Sequence, residues 1–412
     1  MVDELTCVTR DYAWGSTSLI PRFLGTPSDG RPQAEMWVGA HPSDPARLPD
    51  GTRLDDHIRD HAESTLGGHS LETFGPRLPY LVKALAAAEP LSLQVHPTSQ
   101  RAQIGFDLEN QAGIPLGAPG RSYQDCFHKP EMIVAITRFE GMAGFRDVDK
   151  TVQILRLLEH PWADRIAKEL DTAPAYQALH TVVSEILDQS GDALQRLVGE
   201  VAGAAATAEQ RGHQTFRTSG RQYLDRASVE RESTRLFAQT ASLARKYPAD
   251  PGVLVTLLLN HVVLSPGEAM FLDAGVVHAY SSGFGVEIMA SSDNVVRAGL
   301  TPKHVDVPEL LHIANFTPMP APLWEPTALS TNTLAYRPPV AEFALTIARE
   351  PGDLLPSAGP RTLLCLDGEL VVTGTKGSHE LRRGQTLFVP HDDGAIALEG
   401  EGTLAVASVP VV

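Results

Sequence analysis

The sequence predicts a mainly β protein with a helical domain: two β units, the first interrupted by an α-helical insertion. Three observations carry that prediction. Short apolar runs punctuated by Gly and Pro fill residues 1–145, a helix-period pattern takes over from about Asp147 to Lys246, and strand texture returns after Tyr247-Pro248. At 412 residues the chain is too long for one ordinary core. Its 42% hydrophobic and 20% charged residues fit a folded, water-soluble protein.

In the first stretch, Leu91-Ser-Leu-Gln-Val-His96 and Met132-Ile-Val-Ala-Ile136 read as strands bounded by Pro97, Pro130 and Gly141. In the second, Val152, Leu155, Leu158 and then Leu179, Val182, Val183, Ile186, Leu187 recur at three- and four-residue spacing, and Asp147 or Asp149 is available to cap the first turn. The run Ala202-Gly-Ala-Ala-Ala-Thr207 reads as a helix end or loop inside that segment. In the third, Val253–Leu259, Met270-Phe-Leu272 and Gly285-Val-Glu-Ile288 read as strands. Residues 80–145 and 250–300 both supply the site developed below, which favours an insertion in one β unit over three domains in a row. The expected boundaries are 1–145 with 247–315 for the first β unit, 146–246 for the helical insert, and 316–412 for a second β unit.

An internal repeat supports the second unit. Gly267-Glu-Ala-Met-Phe-Leu-Asp273-Ala-Gly275-Val-Val-His278 is similar to Gly384-Gln-Thr-Leu-Phe-Val-Pro390-His-Asp392-Asp-Gly-Ala395: a turn glycine, an apolar strand, a second turn. The spacing resembles the second motif of cupins, which are double-sheet jelly rolls. His278 in the first copy corresponds to Ala395 in the second, so the C-terminal unit is expected to be a cupin-like domain without metal; chance similarity is the alternative.

The formal charge of −16 argues against nucleic acid, and a bound phosphate would need a local cluster of Lys and Arg. Cys7, Cys126 and Cys365 are odd in number, far apart and form no CxxC pair, which favours a reducing compartment over a disulfide framework or thiolate zinc site. The N-terminus MVDELTCVTR lacks the basic and apolar regions of a secretion signal, and the longest apolar stretch, Val253–Leu264, is too short to span a bilayer. A cytoplasmic protein with no membrane partner is expected.

Ser92, Gln94 and His96 alternate along one strand and so share a face. A carbonyl oxygen and an imidazole suit a borderline divalent ion such as zinc, although a hydrogen-bonded polar pair in a sheet would look the same. Glu131, in His128-Lys-Pro-Glu-Met132, reads either as a further ligand or as a solvated strand start. His278, after Asp273-Ala-Gly275, reads either as a ligand at a barrel mouth or as a structural histidine. Convergence of all four is what would distinguish a metal site. The stretch Gly285–Lys303 adds acids, bases and small residues that let backbone approach a ligand.

Taken together these blocks resemble the type I phosphomannose isomerase family. The resemblance rests on Leu78-Pro-Tyr-Leu-Val-Lys83, Leu91-Ser-Leu-Gln-Val-His-Pro97, His128–Met132, Gly275-Val-Val-His-Ala-Tyr280 and the long block Ala290-Ser-Ser-Asp-Asn-Val-Val-Arg-Ala-Gly-Leu-Thr-Pro-Lys303. Tyr12-Ala-Trp-Gly-Ser16 and Ala34-Glu-Met-Trp-Val-Gly-Ala-His-Pro42 resemble its N-terminal motifs. The likeness runs in order from about residue 10 to 310.

It implies a cupin-type jelly-roll catalytic domain, an inserted α-helical domain and a C-terminal cupin-like β domain. It also implies one Zn2+ per chain held by Gln94, His96, Glu131 and His278, and Arg297 as the catalytic arginine. Glu35, Lys83, Ser92, Lys129, Tyr280, Glu287, Asp293 and Lys303 match residues that line or support the family's pocket. The implied activity is interconversion of mannose 6-phosphate and fructose 6-phosphate through an enediol(ate), with a small sugar phosphate as partner. A monomer is expected, with a homodimer as the alternative.

In that scheme Arg297 stabilises the developing oxyanion, and Lys83 and Lys303 join it in the local positive patch. Glu287 is the candidate base and Lys129 its rival. Two departures bear on phosphate binding: Cys126-Phe127 stands where family members commonly have Asn, and Thr98-Ser99 follows His96-Pro97 where many carry Asp-Lys. Two other readings compete: an iron-dependent cupin oxygenase, which would use two histidines and one carboxylate, and a non-catalytic sugar-binding cupin, which would have no need of Arg297.

Overall fold

The computed structural model describes residues 3–218, 224–349, 355–375 and 377–410, with side chains excluded over 212–218, 224–228 and at 230. Among the described residues eleven strands form one sheet system and eight form another. Along the first, the order is Leu323–Trp324, Ala269–Leu272, Glu131–Ala135, His278–Ala290, Tyr80–Ala87, Glu35–Gly39 and Val8–Arg10. Leu93–Val95, Val296–Gly299, Phe139–Phe145 and Leu259–Leu264 make the facing layer.

The strand His278–Ala290 belongs to both layers. Its first residues pair with Leu93–Val95 and Phe139–Phe145, and its remainder pairs with Tyr80–Ala87 and Glu131–Ala135. The register shifts between Tyr280 and Ser282, and Gly283 follows at φ +124°. A Cβ there would lie 2.8 Å from Phe139 Cα, so the bend needs glycine both for conformation and for space. Tyr80–Ala87 is buried on both faces and accordingly reads as a nearly unbroken apolar run; Lys83 is its exception.

Helices Val148–Arg156, Pro161–Thr172, Ala175–Leu187, Gly191–Thr218 and Leu224–Lys246 follow the first strands. Asp147 caps the first of them, accepting from Lys150 N at 3.0 Å, as its position predicts. Their apolar faces share one core with Leu93, Val95, Met142 and Val296 of the facing layer.

Some local expectations fail. Ala202–Thr207 is not a break but lies inside Gly191–Thr218: alanine is the best helix former and Ala205 points into the core, which outweighs Gly203. Val253–Leu258 is a helical turn followed by a 3-10 turn, and the strand begins at Leu259. A short, fully buried apolar run has no periodicity to separate the two. The first 145 residues also hold four helices that the strand reading passed over: Leu19–Leu24, Leu54–Asp60, Ala62–Phe74 and Ser99–Gln111. The segment Ala62–Phe74 is kinked at Gly67, whose φ is +74°, and a Cβ there would strike the His391 ring at 2.6 Å.

The second sheet system gathers the C-terminal strands, from Thr327–Ala328 to Ala397–Ser408, around Leu363, Cys365, Leu387 and Val406. Its edge is the N-terminal strand Asp3–Glu4, paired with Leu387 and Phe388. Tyr80 Oη lies 3.2 Å from Pro360 O and 3.1 Å from Ala407 O, joining the two sheets. The repeat read in the sequence has a counterpart in backbone shape. Gly267 and Gly384 stand at φ +88° and +87°, and the strands Ala269–Leu272 and Thr386–Val389 begin two residues after each. No helix among the described residues is long and apolar enough to cross a membrane.

Candidate metal centre and cleft

Three strands bring the candidate ligands together. His278 opens the long strand and is registered against Gln94, His96 follows the strand Leu93–Val95, and Glu131 begins its own strand. His96 Nε2 lies 3.2 Å from Glu131 Oε1 and His278 Nε2 lies 3.4 Å from Glu131 Oε2, all three residues being buried. Their ligand atoms fall within 4.8 Å of one another, and no second group of three such residues occurs among the described residues. Gln94 Nε2 is 3.3 Å from His278 Nε2, and a half-turn of the amide presents Oε1 to the same point.

The donor chemistry fits a cation. His96 Nδ1 is 2.8 Å from Asn294 O and His278 Nδ1 is 2.8 Å from Val276 O. A carbonyl only accepts, so both Nδ1 atoms carry a proton and both Nε2 atoms turn to Glu131. Burial pushes His96 down to about 4, against the pull of Glu131, so it stays neutral. Burial alone would raise the Glu131 carboxyl; Lys129 at 3.2 Å outweighs it and holds it well below the usual range. The His96 lone pair and a buried carboxylate repel unless a positive ion sits between them. Consistently, His96 Nε2 and Glu131 Oε2 are buried without a hydrogen-bond partner.

The cluster opens into a cleft of about 900 Å³ lined by Gln94, Glu131 and every other predicted site residue outside the two histidines. Glu287 and Lys83 face each other across adjacent strands, 2.7 Å apart, and Glu35 stands 3.5 Å from Lys83. Burial raises the Glu287 carboxyl; Lys83 opposes that rise, and Glu131 and Glu35 add to it. Burial would lower Lys83, but Glu287 and Glu35 prevail and hold it above the ordinary lysine value. Tyr280 is raised well above a free phenol, by burial first and then by Glu287. Ser92, immediately before the strand Leu93–Val95, also lines the cleft. Asp293 sits at the rim, its carboxylate 3.1 Å from Ser43 Oγ and 3.6 Å from His41 Nε2.

Arg297 is registered opposite Gln94 on the neighbouring strand, and Lys303 follows in the loop beyond. Neither forms an ion pair among the described residues. Burial lowers both, and Arg297 lowers Lys303 further. By contrast Lys83 is neutralised by Glu287 and Glu35, so the net positive end of the cleft is Arg297 with Lys303.

Sequence reasoning did not single out Asn294, which is fully buried. Its Oδ1 accepts from Gln124 N and its Nδ2 donates to Phe127 O while its carbonyl orients His96. Trp37, whose Nε1 donates to Glu35 at 2.7 Å, and His41 were also passed over, although both lie within the block Ala34–Pro42.

A β sandwich with a buried His–Glu–His cluster at the floor of a charged cleft defines a metal-site cupin. Comparison with known proteins is more specific. Residues 2–148 match the family described as phosphomannose isomerase type I, catalytic domain, and residues 361–409 the mannose-6-phosphate isomerase cupin domain. The mannose-6-phosphate isomerase of Salmonella typhimurium is 35% identical over 98% of both chains, and that of Homo sapiens 31% identical over 94% of this chain and 93% of its own. A crystal structure of the Salmonella enzyme bound to substrate and zinc superposes with a TM-score of 0.86 at 32% identity, covering 100% of both chains. The chain belongs to the type I phosphomannose isomerase family.

Proposed function

We propose that the protein interconverts mannose 6-phosphate and fructose 6-phosphate, with one zinc ion held by Gln94, His96, Glu131 and His278. The observation that carries this reading is the convergence of two imidazole nitrogens on one buried carboxylate, at the floor of a cleft with two unpaired cations. Bound there, zinc supplies a fixed positive charge and Lewis-acid polarisation of sugar oxygens.

The rest falls to the chain's own residues. Isomerisation moves a proton between C1 and C2 and gathers negative charge on the former carbonyl oxygen. Arg297, always cationic and able to donate to two oxygens, stabilises that oxyanion, a contribution of about 3–4 kcal/mol for groups of this kind. Lys303 takes the phosphate, whose approach to a chain of net charge −16 requires a local positive end. Ser92, Tyr280 and Asp293 orient the sugar hydroxyls, while Lys83 and Glu35 hold Glu287. Glu287, whose proton affinity is raised by burial, carries the C1/C2 proton; Lys129, pinned to Glu131, is the rival. Exchange of the C2 proton with solvent distinguishes them. Glu287→Gln is expected to slow exchange and turnover together by about 10²–10⁴-fold, and retained exchange would transfer the role to Lys129.

The reading is tested by mixing the zinc-loaded protein with mannose 6-phosphate. Fructose 6-phosphate should form, stop forming on chelation and resume on adding zinc. Binding without product would make the protein a sugar-phosphate receptor, and oxygen uptake by an iron-loaded form would make it an oxygenase. The three unpaired cysteines suit a reducing cytoplasm.

A further inference from the structure

The helical segment reaches the cleft: Lys246, Tyr247 and Asp250, at its end and in its return loop, line it together with Leu300 and Lys303. The carboxylate of Asp250 is committed to backbone. Oδ1 accepts from Gly252 N at 2.8 Å, Oδ2 from Thr301 N at 3.1 Å, and Leu300 N is a third donor. Burial pushes this carboxyl above the usual range, opposed by those donors, and no cation pairs with it among the described residues. A half-buried carboxylate without a cation, with both oxygens committed to backbone N–H groups, holds other structure in place.

What it holds is the turn after Arg297. Gly299 stands at φ +138° and Leu300 at φ +56°, a region that non-glycine residues avoid. The turn lies directly against the return loop: a Cβ at Gly299 would sit 2.7 Å from both Asp250 Oδ1 and Gly252 Cα. A Cβ at Gly252 would likewise sit 2.9 Å from Gly299 Cα. The Leu300 side chain is buried in the core shared with the helices. Two glycines in contact, a leucine held at positive φ and an acid accepting N–H groups from both segments form a clasp.

We propose that Asp250 is a positioning residue for the phosphate end of the substrate: it fastens the turn 299–301 to the return of the helical segment and so fixes Lys303 relative to Arg297. It touches no reacting atom and acts through Lys303, an inference that rests on the assignment of Lys303 to the phosphate above. Asp250→Ala is expected to raise KM for mannose 6-phosphate about tenfold or more, as loss of one charge-assisted contact does. Inhibition by inorganic phosphate should weaken in parallel, with zinc content unchanged and kcat lowered by less than about threefold. Asp250→Asn, keeping one acceptor oxygen, should fall between. Wild-type KM and phosphate inhibition in Asp250→Ala overturn the proposal, and so does a variant that loses zinc or whose kcat falls as steeply as 1/KM. Should Asp250→Ala not fold, Asp250→Asn decides alone, with unchanged phosphate inhibition counting against the clasp. Wild-type protein that binds inorganic phosphate but makes no fructose 6-phosphate fails the functional reading only, and the phosphate dissociation constants of wild type and Asp250→Asn then decide this one.

Discussion

Gly267 and Gly384 open the same turn in two different sheets, at φ +88° and +87°, and each leads into a four-residue buried strand. Beyond the strand the first unit reaches His278 and the second, at the equivalent distance, Ala395. The interiors differ accordingly. Around His278 lie Glu131, Lys129, Lys83 and Glu287, all buried and charged, whereas Leu363, Cys365, Leu387 and Val406 fill the core of the second unit, whose buried Arg361 is spent on the carbonyls of Pro356, Pro390 and Gly394. Buried charges are costly and a dry apolar core is not, so the polar interior is a departure kept for chemistry while the second unit keeps the scaffold alone.

Removing the difference from the first unit has the largest expected effect. His278→Ala gives it the residue of its counterpart; metal content should fall toward zero and turnover by about a thousandfold or more, several kcal/mol of barrier. Full activity with normal zinc would detach the cluster from the reaction. Arg297→Ala should leave zinc content near normal and lower turnover by about a hundredfold or more, read by steady-state kinetics; unchanged turnover would remove Arg297 from the mechanism.

The buried polar cluster of the first unit also predicts a pH dependence. His96 is pushed down to about 4 in the folded chain, so below its unfolded value the unfolded chain takes the proton first. Stability of the chelated protein should therefore be complete above pH ~6.5 and fall as pH drops toward 4, by on the order of 3 kcal/mol. His96→Gln should flatten that decline in denaturant melts; an identical slope would assign it elsewhere. At the shared turns, Gly267→Ala and Gly384→Ala should each cost about 1–2 kcal/mol for the positive φ. The second should cost more, because its Cβ would meet Leu24 Cδ2 at 2.7 Å. Smallest of all, Ala395→His should leave zinc at one per chain, and a second bound ion would break the contrast.

How much of this was readable beforehand follows from how local each signal is. Helical periodicity from Val152 to Leu187 and the glycine turns are written in neighbouring residues and hold in the structure. The ligand cluster was legible through its motif blocks, since each ligand alone reads equally well as a structural residue. The pairing of Asp3–Glu4 with Leu387 and Phe388 joins opposite ends of the chain and leaves no local trace. The same holds for the Asn294 and Val276 carbonyls that set the histidine tautomers: any residue has a carbonyl. Short helices such as Leu54–Asp60 are held by tertiary packing of Leu54 and Ile58 and carry too few turns to show a period.

The strand His278–Ala290 carries both a metal-cluster histidine and, past the bend at Gly283, the acid Glu287. Because alternate residues of a strand face opposite ways, adding or deleting one residue between Tyr280 and Glu287 would keep the histidine in place and rotate the acid out of the cleft. Spelling can change along this stretch more freely than its length, and related chains should differ there by substitution rather than by gaps.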